Sequence, residues 1–547
     1  MYSVAIGRFK FVALRYAVKV LTRIEQEIVV MPCRVIIMLL VALGMTASSA
    51  YADSFYSGGG WATLHRDGGN RKLASAAPLY PDYRSWHALR GATVLTAPTI
   101  SPDGMTMYVT TGQARGNSNL HAFTLSGELL WRADPWQSAY EGLDACAVLS
   151  SPIIDVQGDI YINDCNQLFA FKPDGRVKWI TRLPFPQPGD WIAAGDLPVN
   201  AFTTAVFTST GQILGVTNFG DVVMVDRTTG LILNPGWRLP GLLPAASTLE
   251  VMPSGLFANG MIDPDIREWV WQLLFGGNMR SANTPAVALE TGGRVFVAAT
   301  SVNQGLGALY ALDLLETPEG FSIQLGFAID MGPGSGSSPA LSPAADRVYV
   351  SDEKGLFYSI DTQSGNIIWQ TQTRAAAAAA AVGSDGTVYA LQARAPALVA
   401  LSPEGVVRWE SDLSALATHN LPSSWLLGEP VAVGNGNPTV LKDHVLVPVV
   451  YGYELNLFRR IPLYVQSSLV AVDLRTGVGV RDVLSLRDDS SGITVIISDG
   501  TIVNSLGAVS STALAQLAPY VNWLLPDNYR VLEPLGGVQV SLPSTGE

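Results

Sequence analysis

Little in this sequence is charged, and little in it could hold a metal or build a redox centre. Asp, Glu, Lys and Arg make up 15% of the 547 residues, with only five His and three Cys. No Cys-Cys pair and no Cys-x-x-Cys-His run occurs, which excludes a vicinal disulfide and covalently attached haem. His-Glu-x-x-His and Gly-x-Ser-x-Gly are also missing, which removes the common metalloprotease and serine-hydrolase patterns. A net charge of −12 leaves no basic face for nucleic acid. Beyond residue 50 no apolar run approaches the roughly 20 residues that span a bilayer. Disorder is excluded too, because 13 Trp and a 48% hydrophobic content supply ample core. At about 150 residues per domain, the length calls for three or four units or one repeat array.

The first 52 residues read as targeting sequence. Met31 to Arg34 form a short basic start, Val35 to Met45 an apolar run, and Ala50-Tyr51-Ala52 a small-residue cleavage site. Residues 31–52 are therefore expected to be a secretory signal peptide, and residues 53–547 the exported protein. Residues 1–30 read as a start-site artefact or a long n-region. Cys33 lies at the start of the apolar run, so no lipid anchor is expected and the product is periplasmic or secreted. Cys146 and Cys165 then remain. Strands over 148–154 and 159–163, joined by a turn at Val156 to Gly158, would bring 146 nearly opposite 165, within reach of a disulfide. Two free buried thiols are the alternative.

What the chain has in abundance is self-similarity. A small-small-Pro step recurs at Thr96-Ala97-Pro98, Ser150-Ser151-Pro152, Asn283-Thr284-Pro285, Ser337-Ser338-Pro339 and Gly428-Glu429-Pro430. A turn ending in Gly comes next in the repeat, as at Asp103-Gly104, Asp385-Gly386 and Asp499-Gly500. Asp-Gly suits the positive φ values of a two-residue hairpin turn. A third strand with an aromatic or aliphatic centre comes next, and the unit closes on Gly-x-x-x-Trp: Gly127 to Trp131, Gly175 to Trp179, Gly365 to Trp369 and Gly405 to Trp409. Those four Trp are the expected blade-docking residues, each sealing one unit against its neighbour. Four short strands per unit predict an all-β propeller of four-stranded antiparallel blades. The units fall at about 96–133, 148–183, 199–239, 283–331, 335–372, 375–412, 428–485 and 491–541. That makes an eight-bladed β-propeller, with seven blades and a C-terminal appendage as the alternative.

Some stretches depart from the pattern. Ala375 to Ala381 favours helix by propensity, yet its place in the repeat predicts an innermost strand with small side chains near the axis. An insertion over about 240–282 holds Asp263-Pro264 followed by Ile266, Trp269, Val270, Leu273 and Leu274, the apolar stripe of an amphipathic helix. It either packs across one end of the propeller or docks a partner through Trp269 and Trp271. A second helix is expected over Ser511 to Leu525.

These repeats, with the opening Trp61 to Asn70, resemble the PQQ-like β-propeller repeat family over roughly residues 58–541. The family spans quinoprotein dehydrogenases and non-catalytic members, so the resemblance implies the fold and leaves activity open. Under the enzyme reading, PQQ and calcium would be bound and an alcohol oxidised without covalent haem. Asp352-Glu353 and Asp488-Asp489 are the candidate calcium carboxylates, although they sit at apparent turns. No family catalytic or metal-binding position matches, so no catalytic residue, metal site or cofactor is assigned. His121 reads as a packed core residue. His65 and Asp67 read as hydrogen-bonded partners clasping the N-terminal segment to the last blade. The favoured reading is a non-catalytic binding scaffold of the envelope, taking a protein or small ligand at the propeller funnel.

Overall fold

An innermost strand has one neighbour, so the edge that faces the axis needs no ladder donor at its first residue, and proline is tolerated there. Pro98, Pro152, Pro285 and Pro339 stand directly before Thr99–Ile100, Ile153–Ile154, Ala286–Ala288 and Ala340–Leu341. The computed structural model describes residues 55–544 except 59, 113–118, 134–149, 165, 189, 191–199, 243–279, 282, 335–336, 376–377, 425–426, 435, 457–459 and 491. Within it those strands begin four of eight sheets. Blades 1 to 7 occupy 99–132, 153–182, 206–238, 286–330, 340–372, 381–412 and 431–486, each running from hub to rim in chain order.

Blade 8 is assembled from both ends of the described chain. Its inner three strands are Thr494–Ile496, Ile502–Leu506 and Gly537–Pro543, and its outermost strand is Tyr83–Ala88. The pairing runs from Tyr83 opposite Pro543 to Ala88 opposite Val538. Blade 8 is therefore not complete within 491–541, as the repeat alone implied. Its fourth strand comes from upstream, which ties the ring shut and excludes the seven-blade count.

Neighbouring blades pack face to face, as in the cluster of Val206, Leu214, Val297 and Tyr310 between blades 3 and 4. At the rim the seal is aromatic. Trp131 of blade 1 lies on Gly175 of blade 2, where a Cβ would stand 2.8 Å from its ring, and its Nε1 donates to Pro173 O at 2.9 Å. Trp179 lies likewise on Gly230, Trp369 on Gly405 and Trp409 on Gly477. Their indole N–H groups donate to the carbonyls of Arg227, Pro403 and Leu474. A second-strand tyrosine backs each ring: Tyr108, Tyr161, Tyr349 and Tyr389, at 5.8–5.9 Å between centroids. Blade 8 borrows Trp86 from its upstream strand for Gly127, and blade 4 uses Phe327 against Gly365.

Two local expectations change. At the Asp-Gly turns only the glycines take positive φ, +72° at Gly104, +79° at Gly386 and +87° at Gly500. The aspartates instead accept from the backbone N–H two residues on, at Met105, Thr387 and Thr501. Among the described residues of the alanine run only Ala381 lies in a strand, Ala381–Val382. Ala375 and Ala380 are buried without pairing in a ladder, because packing at the hub asks for small side chains and not for an extended backbone. The second helix is present: α1 is the short Ser414–Thr418, and α2 is Val509–Val521, whose Leu514 and Val521 pack on blade 7 beside Tyr451 and Leu463.

Candidate functional site at the hub

The two ends of the hub are built differently. At the N-terminal ends of the innermost strands, small hydroxyl residues link blades in relay. Ala97 N donates to Ser151 Oγ at 2.8 Å, Ser151 N to Thr204 Oγ1 at 3.4 Å, and Thr284 N to Ser338 Oγ at 3.1 Å. Ser151 shows the use of a small hydroxyl residue before proline: its N–H goes to one neighbouring blade and its hydroxyl accepts from the other.

The other end is covered by the segment Tyr56 to Ala77, which follows the ring and satisfies one inner strand after another. Ile100, Ile154, Val287, Leu341, Val382 and Val440 donate their N–H groups to the carbonyls of Trp61, Ala62, Gly68, Gly69, Arg71 and Lys72, at 2.7–3.0 Å. Phe207 N donates to Tyr56 Oη at 2.9 Å. Seven of eight blades are thus tied to one stretch of chain. Asn70 is buried, and its Nδ2 lies within bonding distance of the carbonyls of Thr284, Pro285 and Pro339 at 2.9–3.2 Å. Following so tight a path strains the backbone: Arg66, Asn70 and Lys72 have φ of +80°, +58° and +54°.

Asp67 does not bond His65. Its Oδ1 accepts from the N–H groups of Gly69 and Arg71, capping the turn. Both ring nitrogens of His65 are buried without a partner among the described residues, and so is Lys72 Nζ. Burial, then the nearby Lys72 charge, holds the His65 imidazole well below its ordinary pKa. Burial, opposed by Asp67, brings Lys72 down to about 7. The clasp on the last blade is therefore Tyr83–Ala88, while the His65 segment closes the hub.

Two of the candidate calcium carboxylates, Asp352 and Asp488, are engaged in holding backbone. Asp352 Oδ1 accepts from Lys354 N at 2.8 Å and Leu356 N at 2.9 Å. Asp488 accepts from Asp489 N, Ser511 N, Ser511 Oγ and Gly536 N, which joins blade 8 to the start of α2. Burial raises the Asp488 pKa and these donors oppose the rise. Asp352 Oδ1 and both carboxylate oxygens of Asp488 are thus already in use as acceptors. No group of three or more His, Cys, Asp or Glu among the described residues could hold a metal ion.

The remaining sequence candidates fall as follows. His121 is buried against Phe123, rings 6.1 Å apart, and burial followed by Arg132 lowers its pKa to about 4. Cys146, Cys165, Trp269 and Trp271 lie outside the described residues. Sequence reasoning missed Asn70, Lys72 and Trp86. The first two stand within or beside the opening motif and carry its contacts through backbone and amide, which no spacing rule encodes. Trp86 sits forty-one residues ahead of the glycine it covers. No described helix is long and apolar enough to cross a membrane.

A family model described as outer membrane protein assembly factor BamB matches residues 260–503. Among solved structures, a europium-containing methanol dehydrogenase superposes with a TM-score of 0.55 at 13% identity, covering 89% of this chain and 98% of that one. The quinohemoprotein alcohol dehydrogenase from Comamonas testosteroni gives 0.50 at 12% identity, covering 89% and 82%. BamB from Moraxella catarrhalis gives 0.44 at 11% identity, covering 85% and 98%. No curated protein matches by sequence. At such identities the structural likeness shows the fold alone.

Proposed function

We propose that this chain, a member of the PQQ-like β-propeller repeat family, is a non-catalytic binding scaffold of the cell envelope, exported by its residue 31–52 signal. What supports this reading is the use of two candidate carboxylates: Asp352 holds a turn, and Asp488 holds the start of α2 and Gly536. The family model named for an outer membrane protein assembly factor supports the same role and points to an envelope protein as the partner. The rim offers a surface for one. Exposed apolar residues lie on outermost strands at Leu129-Leu130, Ile367-Ile368 and Val407, where one strand edge is open to a further strand.

The exported protein is to be mixed with PQQ and calcium, then assayed for a bound quinone spectrum and for dye-linked alcohol oxidation. Neither is expected. Both together would establish the dehydrogenase instead. Cross-linking in the intact envelope is expected to capture a component of outer membrane protein assembly, and Leu129→Lys with Leu130→Lys tests whether the rim is the contact.

A further inference from the structure

The octapeptide from His65 to Lys72 is a cationic island in an acidic protein, with Arg66, Arg71 and Lys72 against Asp67 alone. Arg66 and Arg71 approach the Asp67 carboxylate at 3.8 and 3.9 Å, and Arg71 also pairs with Glu290 at 2.6 Å. Lys72 has no such pairing. Its ammonium is wholly buried and without a hydrogen-bond partner among the described residues, as are both His65 ring nitrogens and the Thr63 hydroxyl. A closed turn joins the two residues, Lys72 N donating to His65 O at 3.2 Å, and the Lys72 charge is near enough to act on the His65 imidazole.

A lysine near a surface usually extends its stem so that the charge meets water. Here the turn keeps the amine inside, and it does so through a left-handed backbone at Lys72 itself, a conformation that costs free energy. A buried ammonium with no partner is strongly destabilising, and an ion of opposite charge removes most of that cost. We propose that the hub segment encloses a small inorganic anion of chloride size, accepting hydrogen bonds from Lys72 Nζ and a ring N–H of His65. The bonds from the strap to seven blades hold this segment closed against solvent, and a monatomic ion is the smallest anion that could be enclosed there. The site stands apart from the scaffold reading and is tested without any partner protein.

The test uses the exported chain at pH 6, with chloride exchanged for gluconate at constant ionic strength. Excess broadening of the chloride-35 resonance is expected, saturable and reversed by bromide. Raising chloride from a concentration near Kd to about a hundred times Kd is expected to raise Tm by roughly 2–4 °C. Lys72→Met, an apolar replacement of a buried charge, is expected to fold and to lose both responses, and His65→Gln to weaken them. A wild type without saturable broadening would overturn the proposal, as would a Lys72→Met protein that keeps it.

Discussion

The rim and the hub of this propeller are closed by different means. At the rim, side chain meets backbone in a repeated pair, an indole lying on a glycine of the next blade. At the hub, backbone meets backbone, and the closing piece is a single non-repeating segment. The rim device tolerates replacement, since Phe327 serves blade 4 and Trp86 arrives from a strand far from its partner in sequence. The hub device admits little change, because one displaced carbonyl shifts the register of those that follow. Repetition therefore secures each wedge separately, whereas the strap binds the wedges into one body.

The largest effect on this contrast is expected from the rim. Trp179→Ala removes a ring packed on Gly230 and the bond to Arg227 O, and should cost about 3–5 kcal/mol in denaturant unfolding. A loss below about 1 kcal/mol would show that the indole seal is dispensable. Next comes the hub. Asn70→Ala leaves the carbonyls of Thr284, Pro285 and Pro339 without their side-chain donor, and should cost about 2–3 kcal/mol. Equal destabilisation of blades far from 4 and 5, read by amide exchange, would show that the strap acts as one unit.

A smaller effect is expected in the pH dependence, measured in chloride-free buffer. Lysine keeps its proton to about 10.5 in the unfolded chain, while Lys72 releases it near 7 in the fold. Between those values the unfolded state binds more protons, so stability rises with pH. Lys72→Met should flatten that rise, and an unchanged slope would assign it to other groups. Smallest of all is Phe327→Trp, which restores the common rim residue and should change stability by less than about 1.5 kcal/mol.

The same contrast explains what could be read from sequence. Blade number and strand order were legible because the small-small-Pro step, the turn glycine and Gly-x-x-x-Trp are side-chain signals at nearly fixed spacing. Blade 8 was legible only in part. Its first three strands keep the repeat, but Tyr83–Ala88 stands before blade 1 and carries no mark of its destination. The strap was not legible, since its carbonyls serve blades whatever side chains it bears. Ala375 to Ala381 misled for a related reason: small residues at a hub record crowding and say nothing of backbone conformation. Aspartate at the Asp-Gly turns was chosen for its carboxylate and not for a left-handed φ.

Amide hydrogen exchange tests the strap most directly. Ile100, Ile154, Val287, Leu341, Val382 and Val440 sit on strand edges that would be open to water if the hub were vacant. They should exchange slowly in the native protein, and should speed up together when Asn70 becomes Ala. Rapid exchange at these six amides in the wild type, with the ladder amides of the same blades protected, would contradict closure of the hub by the N-terminal segment.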